Sequence, residues 1–145
     1  MARSVPAQRM EWPIQMGGRV DMLASSITAV QAGAELSTVA GRNVRIALIT
    51  AAGVSWNDGR SGLSARADLV GRFLLDPDFT MRWAPYVGGG LGLRYDRIAD
   101  WRGTLIAVIG VEGPNVSGVV PFFEAGLGGG VRFGFGVRAT RRAGR

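Results

Sequence analysis

Val131-Arg132-Phe133-Gly134-Phe135-Gly136-Val137-Arg138 is the stretch that decides the fold of this chain. Apolar side chains occupy every second position, and the positions between them hold arginine or glycine. A period of two belongs to an extended strand, whose successive side chains point to opposite faces. One face of this strand is therefore wholly apolar. The other carries charge or no side chain at all.

The same alternation recurs toward the N-terminus. Trp12, Ile14, Met16, Gly18, Val20 and Met22 oppose Glu11, Gln15, Arg19 and Asp21. Thr28, Val30, Ala32, Ala34 and Leu36 oppose Gln31, Glu35 and Ser37. Val44, Ile46, Leu48, Thr50, Ala52, Val54 and Trp56 oppose Asn43, Arg45 and Ser55. Leu63, Ala65, Ala67, Leu69 and Phe73 oppose Arg66, Asp68 and Arg72. Trp83, Val87, Leu91, Leu93 and Tyr95 oppose Arg82, Arg94 and Asp96. Trp101, Leu105, Ala107, Ile109 and Val111 oppose Arg102 and Glu112. Val119, Phe123, Ala125 and Leu127 oppose Phe122 and Glu124. Turn-forming clusters separate these runs, among them Ala40-Gly41-Arg42-Asn43, Asn57-Asp58-Gly59-Arg60, Asp76-Pro77-Asp78, Gly113-Pro114-Asn115 and Gly128-Gly129-Gly130. They leave about eight segments of roughly 10–13 residues, the length of a tilted membrane strand. The last two segments share one parity, which a three-residue Gly128–Gly130 hairpin preserves and a single long strand would preserve too. The hairpin is preferred, because the long strand would exceed usual lengths. The expected fold is all-β, an antiparallel up-and-down barrel of about eight strands. It fills residues 9–140 as one domain, between residues 1–8 and a basic tail at 141–145. Val5-Pro6-Ala7 before Gln8 suits either a disordered N-terminus or the remnant of a signal peptide.

Alternation alone does not say which face is inside. A soluble barrel hides its apolar face, whereas a membrane barrel shows it to lipid. Here the four Trp share the apolar parity and sit at segment ends. Trp12 and Trp83 fall at one rim, and Trp56 and Trp101 with Tyr95 at the other, as in two interfacial aromatic girdles. The charged parity is rich in glycine, which suits a narrow lumen crossed by long side chains. It is also nearly charge-balanced, as buried charge must be. The expected lumen network is Arg19, Asp21, Glu35, Arg45, Arg66, Asp68, Arg72, Arg82, Arg94, Asp96, Arg102, Glu112, Glu124, Arg132 and Arg138. These features favour a transmembrane barrel with lipid as its partner. On this reading, Leu48→Arg on the apolar face is costly in a bilayer and Gln31→Arg on the polar face is milder.

Ala84-Pro85-Tyr86-Val87-Gly88-Gly89-Gly90-Leu91-Gly92-Leu93, Pro121-Phe122-Phe123-Glu124-Ala125-Gly126-Leu127-Gly128 and the closing run 131–138 resemble the small eight-stranded outer-membrane barrels of the OmpA/OmpX/OmpW-like group. The resemblance covers roughly residues 8–140 and rests on patterning rather than on a sharp motif. It implies a bacterial outer-membrane location and the outer-membrane assembly machinery as a partner. Members of the group usually end on an aromatic residue, where this chain ends Arg141-Arg142-Ala143-Gly144-Arg145. They also tend to have long outer loops, and every connection here is short.

The 145 residues include 23 Gly, no His and no Cys, and all 17 basic residues are Arg. Without His or Cys the usual general base, most zinc sites and thiol or Ser-His-Asp nucleophiles are excluded. Without Lys there is no P-loop, and neither glycine run fits a dinucleotide fingerprint. The net charge of +6 alternates with acids rather than forming a basic patch, so no nucleic-acid partner is expected. No cofactor, metal or catalytic residue is expected either. The reading is a non-enzymatic envelope barrel, structural or passing small apolar solutes. Two others stay beside it. One is a soluble lipocalin-like barrel whose Trp residues face an apolar ligand; the other is an enzyme using carboxylates alone around Asp96 and Glu124.

Overall fold

The computed structural model describes residues 14–77 and 82–140. Trp12, Glu11, the N-terminal residues 1–8 and the tail 141–145 lie outside the described residues. Eight antiparallel strands form one closed barrel, each paired with the next in the chain and the last with the first. They are β1 (Ile14–Ala24), β2 (Thr28–Val39), β3 (Val44–Asn57), β4 (Arg60–Leu74), β5 (Ala84–Asp96), β6 (Asp100–Glu112), β7 (Val119–Leu127) and β8 (Val131–Thr140). The run 119–140 is therefore a hairpin and not one long strand.

One end of the barrel is closed by the short connections 25–27, 58–59, 97–99 and 128–130, and is called the hairpin end below. The connections 40–43, 75–83 and 113–118 lie at the other end, where β1 begins and β8 finishes; this is the termini end. The Asp58-Gly59 turn has φ of 46° and 76°. Positive φ at both positions is what a two-residue hairpin matched to strand twist requires, and Asp-Gly tolerates it.

Burial along every strand has the expected period of two, with the apolar parity on the outside. Leu48, Leu69, Leu91, Leu105, Ile109, Phe123 and Phe135 all point outward and are exposed. No outward-facing residue of the eight strands is charged. Inside, the charged parity is buried, together with Ile49, Val70, Ile106 and Val108, which form one small apolar cluster. The polarity is that of a transmembrane barrel, and it rules against the soluble lipocalin-like arrangement. Trp56, Trp83 and Trp101 are 45%, 56% and 64% exposed on the outer wall, so they line no internal cavity.

The inward glycines answer two different demands. At Gly53 and Gly90 a side chain would enter the neighbouring strand, against the carbonyl oxygens of Val30 and Leu69 respectively. Close strand curvature in a narrow barrel leaves no room there. At Gly134 the obstacle is side-chain chemistry. A Cβ would meet the Asp21 carboxylate and stand 2.7 Å from Arg19 Nη2.

Candidate functional site

The barrel interior holds one large ion-pair network and, toward the hairpin end, a separate cluster around Asp96, both built from single residues that the strand parity turns inward. At the termini end Arg45 of β3 donates to Glu112 of β6, and Arg138 of β8 donates to the same carboxylate at 2.5 Å. In the middle Glu35 of β2 accepts from three arginines: Arg19 at 3.1 Å, Arg72 at 2.6 Å and Arg138 at 2.7 Å. Glu124 of β7 accepts from Arg19 at 3.0 Å, Arg72 at 2.9 Å and Arg132 at 3.2 Å. The Tyr86 hydroxyl donates a further bond to it at 2.8 Å.

Asp21 accepts from Arg19 at 2.6 Å and also from Arg66. Asp68 accepts from Arg132 at 2.7 Å. Toward the hairpin end Asp96 pairs with Arg94 at 2.7 Å and with Arg102 at 3.6 Å. The guanidinium of Arg138 also lies over the Phe122 ring, 3.8 Å from its centroid, a cation–π contact in a desolvated setting.

The chain uses arginine throughout, and the geometry gives the reason. A guanidinium has several donors in a rigid plane, so one Arg ties two or three carboxylates at once. Arg19 alone reaches Asp21, Glu35 and Glu124. Charges removed from water carry a large desolvation cost, which is offset only by this density of pairing.

The structure buries Arg19, Asp21, Glu35, Arg45, Arg66, Asp68, Arg72, Arg94, Asp96, Glu112, Glu124, Arg132 and Arg138 inside the barrel. Two expected members differ. Arg102 sits at the hairpin-end rim with its side chain 43% exposed. Arg82 is not in the lumen: it precedes the start of β5 at Ala84 and is exposed. Its parity is right, but the strand that would carry it inward begins two residues later. Of the aromatic residues, Trp56, Tyr95 and Trp101 mark the hairpin end, and Trp83 marks the termini end. Tyr95 and Trp101 touch across β5 and β6, with ring centroids 5.1 Å apart.

Tyr86 was not singled out as a network residue, although it shares the parity of Arg94 and of Gly88, Gly90 and Gly92. That parity was the available signal. Ile49 had no signal, because the run Ile46–Val54 is apolar on both faces.

Asp96 and Glu124 share no partner, and each is neutralised by arginine, so the structure assembles no carboxylate pair from them. Among the described residues, no group of three or more acidic side chains could hold a metal ion. A groove of about 480 Å³ lies on the outer wall over β1, β7 and β8, between Trp83, Phe123 and Phe135.

No family model matches the sequence, and no curated protein matches it either. Solved structures do match the fold. The Neisserial surface protein A (NspA) superposes with a TM-score of 0.66 at 13% identity, covering 90% of this chain and 97% of that one. The de novo designed protein TMB2.3 superposes with a TM-score of 0.52 at 15% identity, covering 92% and 98%. The likeness supports a small eight-stranded barrel of this kind. It does not single out the OmpA/OmpX/OmpW-like group that the patterning resembles.

Proposed function

We propose that this chain is a non-enzymatic outer-membrane barrel with a closed lumen and a structural or envelope-integrity role. One observation carries the reading: the eight strands turn an uncharged apolar wall outward and bury their charges inside. In water that arrangement exposes apolar surface far beyond an ordinary soluble monomer; in a bilayer it is the stable one. Eight strands leave an interior just wide enough for side chains, and here arginine and glutamate fill it. Passage of an apolar solute along the lumen would require displacing the pairs around Glu35 and Glu124, so the closed role is the better supported of the two.

The test is refolding. Urea-unfolded chain is diluted into plain buffer and into detergent micelles. Far-ultraviolet circular dichroism and the gel mobility of unboiled against boiled samples are then compared. A β spectrum with a heat-sensitive mobility shift is expected in detergent alone. A folded, monomeric β protein in plain buffer would overturn the membrane reading.

A further inference from the structure

The charges of the lumen do not balance, and the imbalance has a location. Among the described residues, seven arginines are buried there against six carboxylates. In a medium of low dielectric an excess buried charge is costly unless something pairs with it. Arg66 on β4 stands directly opposite Arg94 on β5, and Arg94 stands opposite Arg102 on β6. Like charges facing each other across neighbouring strands repel, so this row of three arginines is the least compensated part of the interior.

The acids nearby are largely committed elsewhere. Asp21 is shared between Arg66 and Arg19. Asp68 lies 3.4 Å from Arg66 but 2.7 Å from Arg132. Among the described residues, only Asp96 pairs with Arg94 and Arg102. Guanidinium nitrogens are left without an acceptor as a result: Arg66 Nε and Nη1 and Arg94 Nη1 are buried and make no hydrogen bond. Arg45 Nε at the other end and Asp96 Oδ2 beside Arg94 also lack a hydrogen bond, but the unbonded nitrogens concentrate on Arg66 and Arg94, whereas those of Arg19, Arg72, Arg132 and Arg138 buried to the same degree all have partners. The row runs from the buried Arg66 and Arg94 out to the hairpin-end rim. Arg102 is half-exposed at the rim, and the adjoining connections 58–59 and 97–99 are short turns.

We propose that the hairpin-end half of the lumen binds a small inorganic anion, held by Arg66 and Arg94 and reached past Arg102. Its chemistry is that of a compact halide or oxyanion accepting several charge-assisted N–H donors at once. The anion would complete a network that the protein's own carboxylates leave one charge short.

Arg66→Gln isolates the effect. It removes the excess charge while Asp21 keeps Arg19 and Asp68 keeps Arg132, so no acid is stranded. The experiment follows urea unfolding of the folded barrel by tryptophan fluorescence. Sodium chloride replaces sodium glucuronate at constant ionic strength, in lipid-free and phosphate-free detergent, so any response is to the free ion and not to a headgroup. A ligand that binds only the folded state stabilises it increasingly with concentration. The wild-type midpoint is expected to rise with chloride. Arg66→Gln is expected to unfold later than wild type in glucuronate and to ignore chloride. A wild-type midpoint indifferent to the anion would overturn the proposal, as would an equal chloride response in the variant.

Should Arg66→Gln fail to fold, chloride magnetic-resonance line broadening by the wild-type barrel gives the answer directly. Excess broadening lost on boiling supports the site, and its absence from the folded sample refutes it. If the chain instead folds in plain buffer, the same titration runs there, so the two proposals fail separately.

Discussion

Gly18 and Gly134 share one sheet and have opposite environments. A Cβ at Gly18 would meet nothing within 4 Å, because that position faces out. A Cβ at Gly134 would strike the Asp21 carboxylate. Gly18→Ala is expected to stabilise the barrel by up to about 1 kcal/mol through lost chain entropy. Gly134→Ala is expected to destabilise it by about 1–3 kcal/mol through overpacking. Urea midpoints of the two variants in detergent check both signs. Glu124 is a sharper case, since three arginines and Tyr86 depend on it. Glu124→Gln removes the shared counter-charge and is expected to cost about 3–5 kcal/mol by the same measurement. Parity alone was enough to place Glu124 on the charged face. That it gathers Arg19, Arg72 and Arg132 depends on how three other strands are staggered, which its local sequence does not record.

Each strand keeps one face for lipid and one for the lumen, and a substitution is judged by the face it falls on. Leu48, in the middle of β3, is 48% exposed on the outer wall. Leu48→Arg is expected to cost about 2–4 kcal/mol in a bilayer, measured by urea titration of barrels refolded into vesicles. Gln31→Arg is where the sequence-based expectation changes. Gln31 is fully buried, and its amide donates to Ser64 at 2.6 Å. An arginine there adds a cation to an interior already in positive excess, so its cost is expected to match that of Leu48→Arg in the same titration. Parity puts Gln31 on the lumen face, but how tightly that lumen is filled depends on side chains from other strands. Turns were the most legible elements. Gly128–Gly130 and Asp58-Gly59 sit where their chemistry put them, because a tight hairpin is decided by two or three residues. The start of β5 was less legible, since the alternation of Arg82 and Trp83 continues that of the strand although β5 itself begins at Ala84.

At the scale of the molecule the network acts as a plug. Every buried carboxylate binds at least one arginine, and ties across the lumen join strands remote in sequence, such as Arg19 of β1 to Glu124 of β7, 105 residues apart. Barrels inserted into a planar bilayer are expected to show no steady open-channel conductance in moderate salt; sustained ohmic current through the wild type would contradict a filled lumen. The outer wall is the other whole-molecule feature. Its described tryptophans and Tyr95 lie near the two rims, with Tyr95 packed on Trp101 at one and Trp83 at the other.

By itself the sequence determined the strands, their parity, the class of fold and the absence of histidine or cysteine chemistry. These are local properties: a period of two and a turn dipeptide are written in neighbouring residues. Only the tertiary structure decided that the charged face is the inside one, which arginine meets which carboxylate, and where the charges fail to balance. Closing the barrel sets the stagger between strands, and stagger brings together groups that alternation merely points the same way.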